Sequence, residues 1–266
     1  MGNNWWAEFR RLLKDQKRSF IVLLSSVLFM ILFCYGGDPK HFDGHFHLQE
    51  RQLDGGMKVY RLGDSPSDPT PYDMYRIFYM FGSAFLCFFV LPLLVVVLVL
   101  KESPRNYGLR LPKDYRDLVF ALICQTVIAA LFYFVYCRDP AQRLIFPYSK
   151  YLIETKSVSL FVLYSACYSS YYVGWEFFFR GFMQLGTEAQ AGAPVSIMLQ
   201  VIPSAIIHLG NPISMPKTVE ETFSAVIMGI IWGVMVWRTR SVLLPFLMHY
   251  GVGIMFDGFI TFGPAT

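Results

Sequence analysis

SLFVLYSACYSSYYVGWEFFFRGFMQL, running from Ser159 to Leu185, is long enough and apolar enough to cross a bilayer, yet it holds Glu176 and Arg180. About 20 residues of helix span the ~30 Å hydrocarbon core. Ionisable side chains in such a stretch are expensive, and where they occur they pair with one another or face a polar cavity. A spacing of four puts the Glu176 carboxylate and the Arg180 guanidinium on one helix face, where they neutralise each other without water. This one stretch therefore implies a helical membrane protein with a polar site inside it.

The rest of the chain agrees. Hydrophobic residues are 55% of the sequence and charged residues 16%, and the mean hydropathy is +0.42. Further apolar runs occur at Phe20–Tyr35, Ile77–Leu100, Leu118–Cys137, Pro194–Leu209, Phe223–Trp237 and Val242–Phe262. With the run containing Glu176, they predict an all-α polytopic transmembrane bundle of about seven to eight helices; Pro194–Leu209 is short for a crossing. Residues 1–18 read as an amphipathic lead-in on the membrane face, with Trp5, Trp6, Phe9, Leu12 and Leu13 on one side. Residues 19–266 read as one membrane domain, in which 37–75 form an extracytoplasmic polar loop.

Basic residues set the expected orientation. Arg10, Arg11, Lys14, Lys17 and Arg18 precede the first run; Lys101, Arg105, Arg110, Lys113 and Arg116 follow the second; Arg238 and Arg240 precede the last. By the positive-inside rule these mark the cytoplasmic side, with the N-terminus inside and the protein multi-pass in a bacterial cytoplasmic membrane. The positive charge of 138–156, counted as outside, runs against the pattern. No small-residue cleavage site follows Phe33-Cys34-Tyr35-Gly36, so the first run is expected to stay as an anchor. Cysteines 34, 87, 124, 137 and 167 form no CxxC pair and read as packing residues. His41, Asp43, His45 and His47 crowd the outer loop; a solvated loop is the simpler reading and a metal site the alternative.

His208 and His249 are the histidines outside that loop. At 1.5 Å per residue Glu176 lies roughly 13–15 Å from the end of its run near Gly186, His249 about 12 Å from Ser241, and His208 about 21 Å from Pro194. One cluster is geometrically possible. The plainer readings are an ion pair clamping helices, histidines acting as hydrogen-bonding struts, and Gly229 with Gly233 as a close-packing face. Trp175, Phe177, Phe178 and Phe179 read as core or lipid-facing bulk, and Asp257 as a capping or interface residue. Histidines add nothing to an ion pair, so the combination favours chemistry. A carboxylate held charged by Arg180 can take a proton from water, and an imidazole can stabilise an oxyanion in a dry site. One Glu with two His also forms a hydrolytic zinc set, with water in the fourth position.

Gly174-Trp175-Glu176-Phe177-Phe178-Phe179-Arg180-Gly181 resembles the first motif of the CAAX-protease and bacteriocin-processing family of intramembrane proteases, two glutamates, three residues, then arginine. Ile207-His208-Leu209-Gly210-Asn211-Pro212 resembles its second motif, and the run from Arg238 to His249 the approach to its third. The resemblance implies a catalytic core over 157–260, a membrane-associated or lipid-linked peptide as substrate and a glutamate-dependent mechanism with no cofactor, so that zinc ranks second; nothing in the sequence suggests nucleic acid. Glu176, Arg180, His208 and His249 carry over as catalytic residues and nothing else does; Asn211, Asp257 and Trp175 are supporting candidates apart from the resemblance. Three positions depart: the first glutamate, to which the family's prenyl endopeptidases assign water activation, is Trp175; the phenylalanine four before the second histidine is Ser204; the Asn or Asp four after the third is Gly253. Glu176 then acts as the lone acidic residue, or the chain is a non-catalytic scaffold or immunity-type partner. A proton-coupled transporter ranks last, since no inverted repeat is visible.

Overall fold

The helices of the computed structural model, which describes residues 4–37, 71–135, 146–209 and 219–263, turn apolar side chains outward and polar ones inward. Helix α2 (Lys17–Gly36) exposes Phe20, Leu24, Val27, Leu28, Ile31 and Leu32 while burying Ser19 and Ser26. Helix α7 (Ala193–Leu209) exposes Val195, Met198, Ile202 and Ile206 while burying Ser196, Gln200 and Ser204. Such large apolar faces are untenable in water and are solvated by lipid tails. The protein is an all-helical membrane bundle.

The other elements are α1 (Trp5–Asp15), α3 (71–99), α4 (Tyr115–Val135), the short α5 (Tyr151–Thr155), α6 (158–191), α8 (Val219–Thr239) and α9 (Leu243–Phe262). Two of them change winding without breaking: α3 passes through π turns at Leu86–Val90 and Val95–Val99, and α6 through a π segment at Phe177–Leu185. Among the described residues, 17–36, 73–99, 222–239 and 243–262 are by length and composition long and apolar enough to cross a membrane, and Ala193–His208 is shorter. Seven apolar runs were expected. The run holding Glu176 falls outside this set because tyrosines, serines and the ion pair dilute it; of these, Tyr164, Tyr168, Tyr172 and the ion pair are buried.

Helix α1 buries no residue; Trp5, Trp6, Phe9 and Leu12 stay exposed, with Trp5 stacked on Trp6 at 3.9 Å. The three basic stretches meet at one end of the bundle. Arg18 pairs with Glu102 at 3.1 Å, Arg110 Nε donates to the Arg240 carbonyl at 2.8 Å, and Ser241 Oγ donates to the Arg110 carbonyl at 2.5 Å. Arg240 also grips Glu188 with both guanidinium nitrogens. At the same end Gln190 joins α6 to the start of α2, accepting from Ser19 Oγ at 2.6 Å and donating to the Asp15 carbonyl.

Helix α6 is the axis of the bundle and touches α2, α3, α7, α8 and α9. Every residue from 174 to 187 is buried. Phe177, Phe178 and Phe179 are core, not lipid-facing: Phe88 stacks on Phe178 at 4.7 Å, and Phe89 meets Phe177 at 5.1 Å. Gly229 and Gly233 let α8 press close, and their carbonyls accept from Gln200 Nε2 at 2.9 Å and Gln184 Nε2 at 2.7 Å. Close packing plus interhelical hydrogen bonds is how helices associate in lipid, where apolar burial drives little. The described cysteines 34, 87, 124 and 167 are free thiols; Cys137 and the His41–His47 cluster lie outside the described residues.

Candidate active site

One face of α6 carries a polar side chain at every fourth position: Tyr164, Tyr168, Tyr172, Glu176, Arg180 and Gln184. On an ideal α-helix a spacing of four advances about 40° per step, so such a row winds off its face. The π segment that starts at Phe177 takes more residues per turn and turns the row back. Arg180 and Gln184 thus stay aimed at α8 and α9. π segments are rare and recur at functional sites.

Glu176 is the hub. It is 0% exposed, and its Oε1 accepts from Arg180 Nη1 at 3.3 Å and lies 2.7 Å from His249 Nδ1. A carboxylate accepts, so Nδ1 carries the proton and donates, which leaves the other ring nitrogen as the basic one in a neutral imidazole. Glu176 Oε2 and Arg180 Nε have no hydrogen-bond partner among the described residues. The His249 side chain is 28% exposed and Glu176 0%, so the imidazole is the accessible part of the pair and the carboxylate lies buried behind it.

Aromatic rings fix the geometry. The His249 ring is held between Tyr172, 4.4 Å away, and Trp232, 4.7 Å away. Trp232 also lies under the Arg180 guanidinium at 5.4 Å, a cation–π contact of the kind that strengthens away from water. Trp232 was not among the sequence candidates, because its place follows from how α8 crosses α6 and carries no spacing signal. Tyr172 was legible by the same rule as Arg180, one turn from Glu176 on the other side.

The remaining candidates are placed as follows. His208 Nδ1 lies 2.6 Å from the carbonyl of Ser204, one turn back on α7, and its ring meets Trp175 edge-on at 5.8 Å. Trp175, where the family motif has its first glutamate, is buried among Phe88, Tyr171 and Phe179. Arg180 and His249 are therefore brought onto Glu176 itself, while His208 stands against the neighbouring indole. Among the described residues no group of three or more His, Cys, Asp or Glu side chains is placed to hold a metal ion. Asn211 lies outside the described residues. Asp257 is not beside Glu176: it accepts from Tyr164 Oη at 2.8 Å, about 18 Å along α6 from Glu176. Near it Lys150 donates to the Pro147 carbonyl at 2.9 Å; burial lowers its ammonium to about 8, against the opposing pull of Asp257.

Residues 159–255 match the family model described as type II CAAX prenyl endopeptidase Rce1-like. Over this segment the chain is similar to the Rce1-like family. No curated protein and no solved structure matches the chain. The matched segment takes in α6 from Ser159 on, α7, α8 and the half of α9 that bears His249, and so contains Glu176 and both of the side chains bonded to it, Arg180 and His249.

Within the matched segment Gly181 has a steric duty. A methyl group there would stand 2.5 Å from the Tyr107 carbonyl and 2.9 Å from the Phe177 ring. The loop Ser103–Gly108 packs directly beneath the π segment, and backbone is the part least able to retreat. Gly181→Ala is expected to lower stability by about 1–3 kcal/mol through overpacking, read as a lower melting temperature of the detergent-purified protein. An unchanged melting temperature would show that the loop yields.

Proposed function

We propose that this protein is an intramembrane endopeptidase of single-glutamate type that cleaves a membrane-associated or lipid-linked peptide. The observation that carries the reading is the buried Glu176 carboxylate bonded at 2.7 Å to a partly exposed His249. A carboxylate that accepts the Nδ1 proton holds the imidazole in one tautomer and stabilises the imidazolium that forms when the ring takes a proton. His249 is then the general base that takes a proton from water as the oxygen attacks the peptide carbonyl. The C–N bond breaks as the imidazolium returns that proton to the leaving amine. Arg180 pairs with the Glu176 carboxylate, and His208, with its Nδ1 committed to the Ser204 carbonyl, holds the water or substrate from the Trp175 side.

The shared end of the three basic stretches supports a cytoplasmic N-terminus under the positive-inside rule. The match to prenyl endopeptidases makes a prenylated C-terminal peptide the first substrate to try. A farnesylated, internally quenched CAAX-type peptide should be cleaved by the purified protein in proteoliposomes, and cleavage should survive EDTA and 1,10-phenanthroline. Loss of activity on chelation, restored by Zn²⁺, would favour the metal mechanism. A wild-type protein that binds a membrane partner but yields no product would favour the scaffold reading, for which Trp175 in place of the first glutamate is the supporting feature.

A further inference from the structure

The most informative departure from the family pattern is Gly253, one helical turn beyond His249 and so on the same face of α9. The space beside it is filled from another helix. A methyl group at 253 would stand 2.9 Å from the Tyr172 hydroxyl, closer than real Cβ atoms come, and 3.4 Å from the nearest atoms of Tyr168. The Tyr172 ring lies 4.4 Å from the His249 ring, and its hydroxyl is 2.8 Å from that of Tyr168. A polar oxygen thus sits where an Asn or Asp at 253 would begin, and the glycine is what admits it.

We infer that the Tyr172 hydroxyl replaces the missing side chain at 253 and donates a hydrogen bond to the oxyanion formed when water attacks the substrate carbonyl. This rests on the endopeptidase reading above. Either hydroxyl can donate in that pair; with Tyr168 as the donor to the Tyr172 oxygen, the Tyr172 proton is left for the site beside His249. Phenol suits the task, since it is a neutral donor that adds no further charge to a buried site already holding Glu176 and Arg180. With the imidazole acting as base, the oxyanion needs a donor other than His249, and Tyr172 is a phenol whose ring packs against that imidazole.

The steric and chemical halves are tested together by a four-protein cycle in proteoliposomes with the farnesylated reporter, measuring kcat, KM and melting temperature. Tyr172→Phe should lower kcat on the order of 10²-fold, the usual cost of one oxyanion donor, with KM and melting temperature near wild type. Gly253→Asn should melt lower, because its Cβ meets the hydroxyl. The double variant Tyr172→Phe/Gly253→Asn loses that clash, since the next atoms stand at 3.4 Å, and it should recover both melting temperature and about tenfold of the lost kcat. Wild-type kcat in Tyr172→Phe, while Glu176→Gln is inactive, would overturn the inference and leave the endopeptidase reading standing. Equal melting temperatures for Gly253→Asn and the double variant would overturn the steric half. A wild-type protein that cleaves nothing removes the endopeptidase reading and this inference with it.

Discussion

Glu176→Gln should cost about 10⁴-fold in kcat while the protein stays folded in the membrane. The substitution keeps the shape and removes only the charge, so packing around Phe177–Phe179 is undisturbed. What changes is the partner of His249 Nδ1, now 2.7 Å from a carboxylate oxygen. An amide can turn its NH₂ toward that nitrogen, which reverses the tautomer and leaves an N–H where the base is needed. In a serine-protease triad the equivalent change from acid to amide costs about 10⁴ for that reason. One further readout separates this from a merely structural role: although leaving Arg180 as an unpaired buried charge lowers the melting temperature, the residual rate should climb with pH as hydroxide takes over from activated water. A Glu176→Gln protein within tenfold of wild type would end the case for an acid–imidazole pair.

Much of this site was legible because spacing and depth are one-dimensional facts. Glu176 and Arg180 announce themselves by four-residue spacing inside an apolar run, and His249 by standing at mid-membrane where a polar group needs a reason. The same arithmetic placed His208 at a similar depth but says nothing of azimuth, and α7 turns its imidazole onto Trp175. Asp257 shows the limit from the other side. It shares a helix with His249, yet two further turns carry it to Tyr164. The π segment had no sequence signal either, since Phe177-Phe178-Phe179 fits a buried α-helix equally well. Its existence depends on how α6 is wedged between α3 and the Tyr107 loop, which is tertiary information. Trp232 is illegible for the same reason: its neighbours Gly229 and Gly233 advertise close packing, but not what the indole meets.

Those tertiary contacts matter most at Arg180, where the largest stability effect is expected. Arg180 is 2% exposed and Glu176 0%, so neither charge has water to fall back on. Arg180→Met keeps the volume against Trp232 but strips Glu176 of its cation, and removing one partner of a buried pair costs about 3–5 kcal/mol. The variant is expected to unfold at markedly lower SDS fraction than wild type, or to accumulate poorly in membranes. Adding Glu176→Gln should restore much of the loss, because the double variant buries no unpaired charge. Replacing both members of such a pair is often near neutral, whereas breaking it is not. That non-additivity is the informative quantity. If Arg180→Met and the double variant are equally unstable, the guanidinium acts through its contact with Trp232, and the ion pair is incidental. If the double variant recovers stability but not cleavage, the bundle tolerates a neutral centre, and the buried charge is kept for the chemistry at His249.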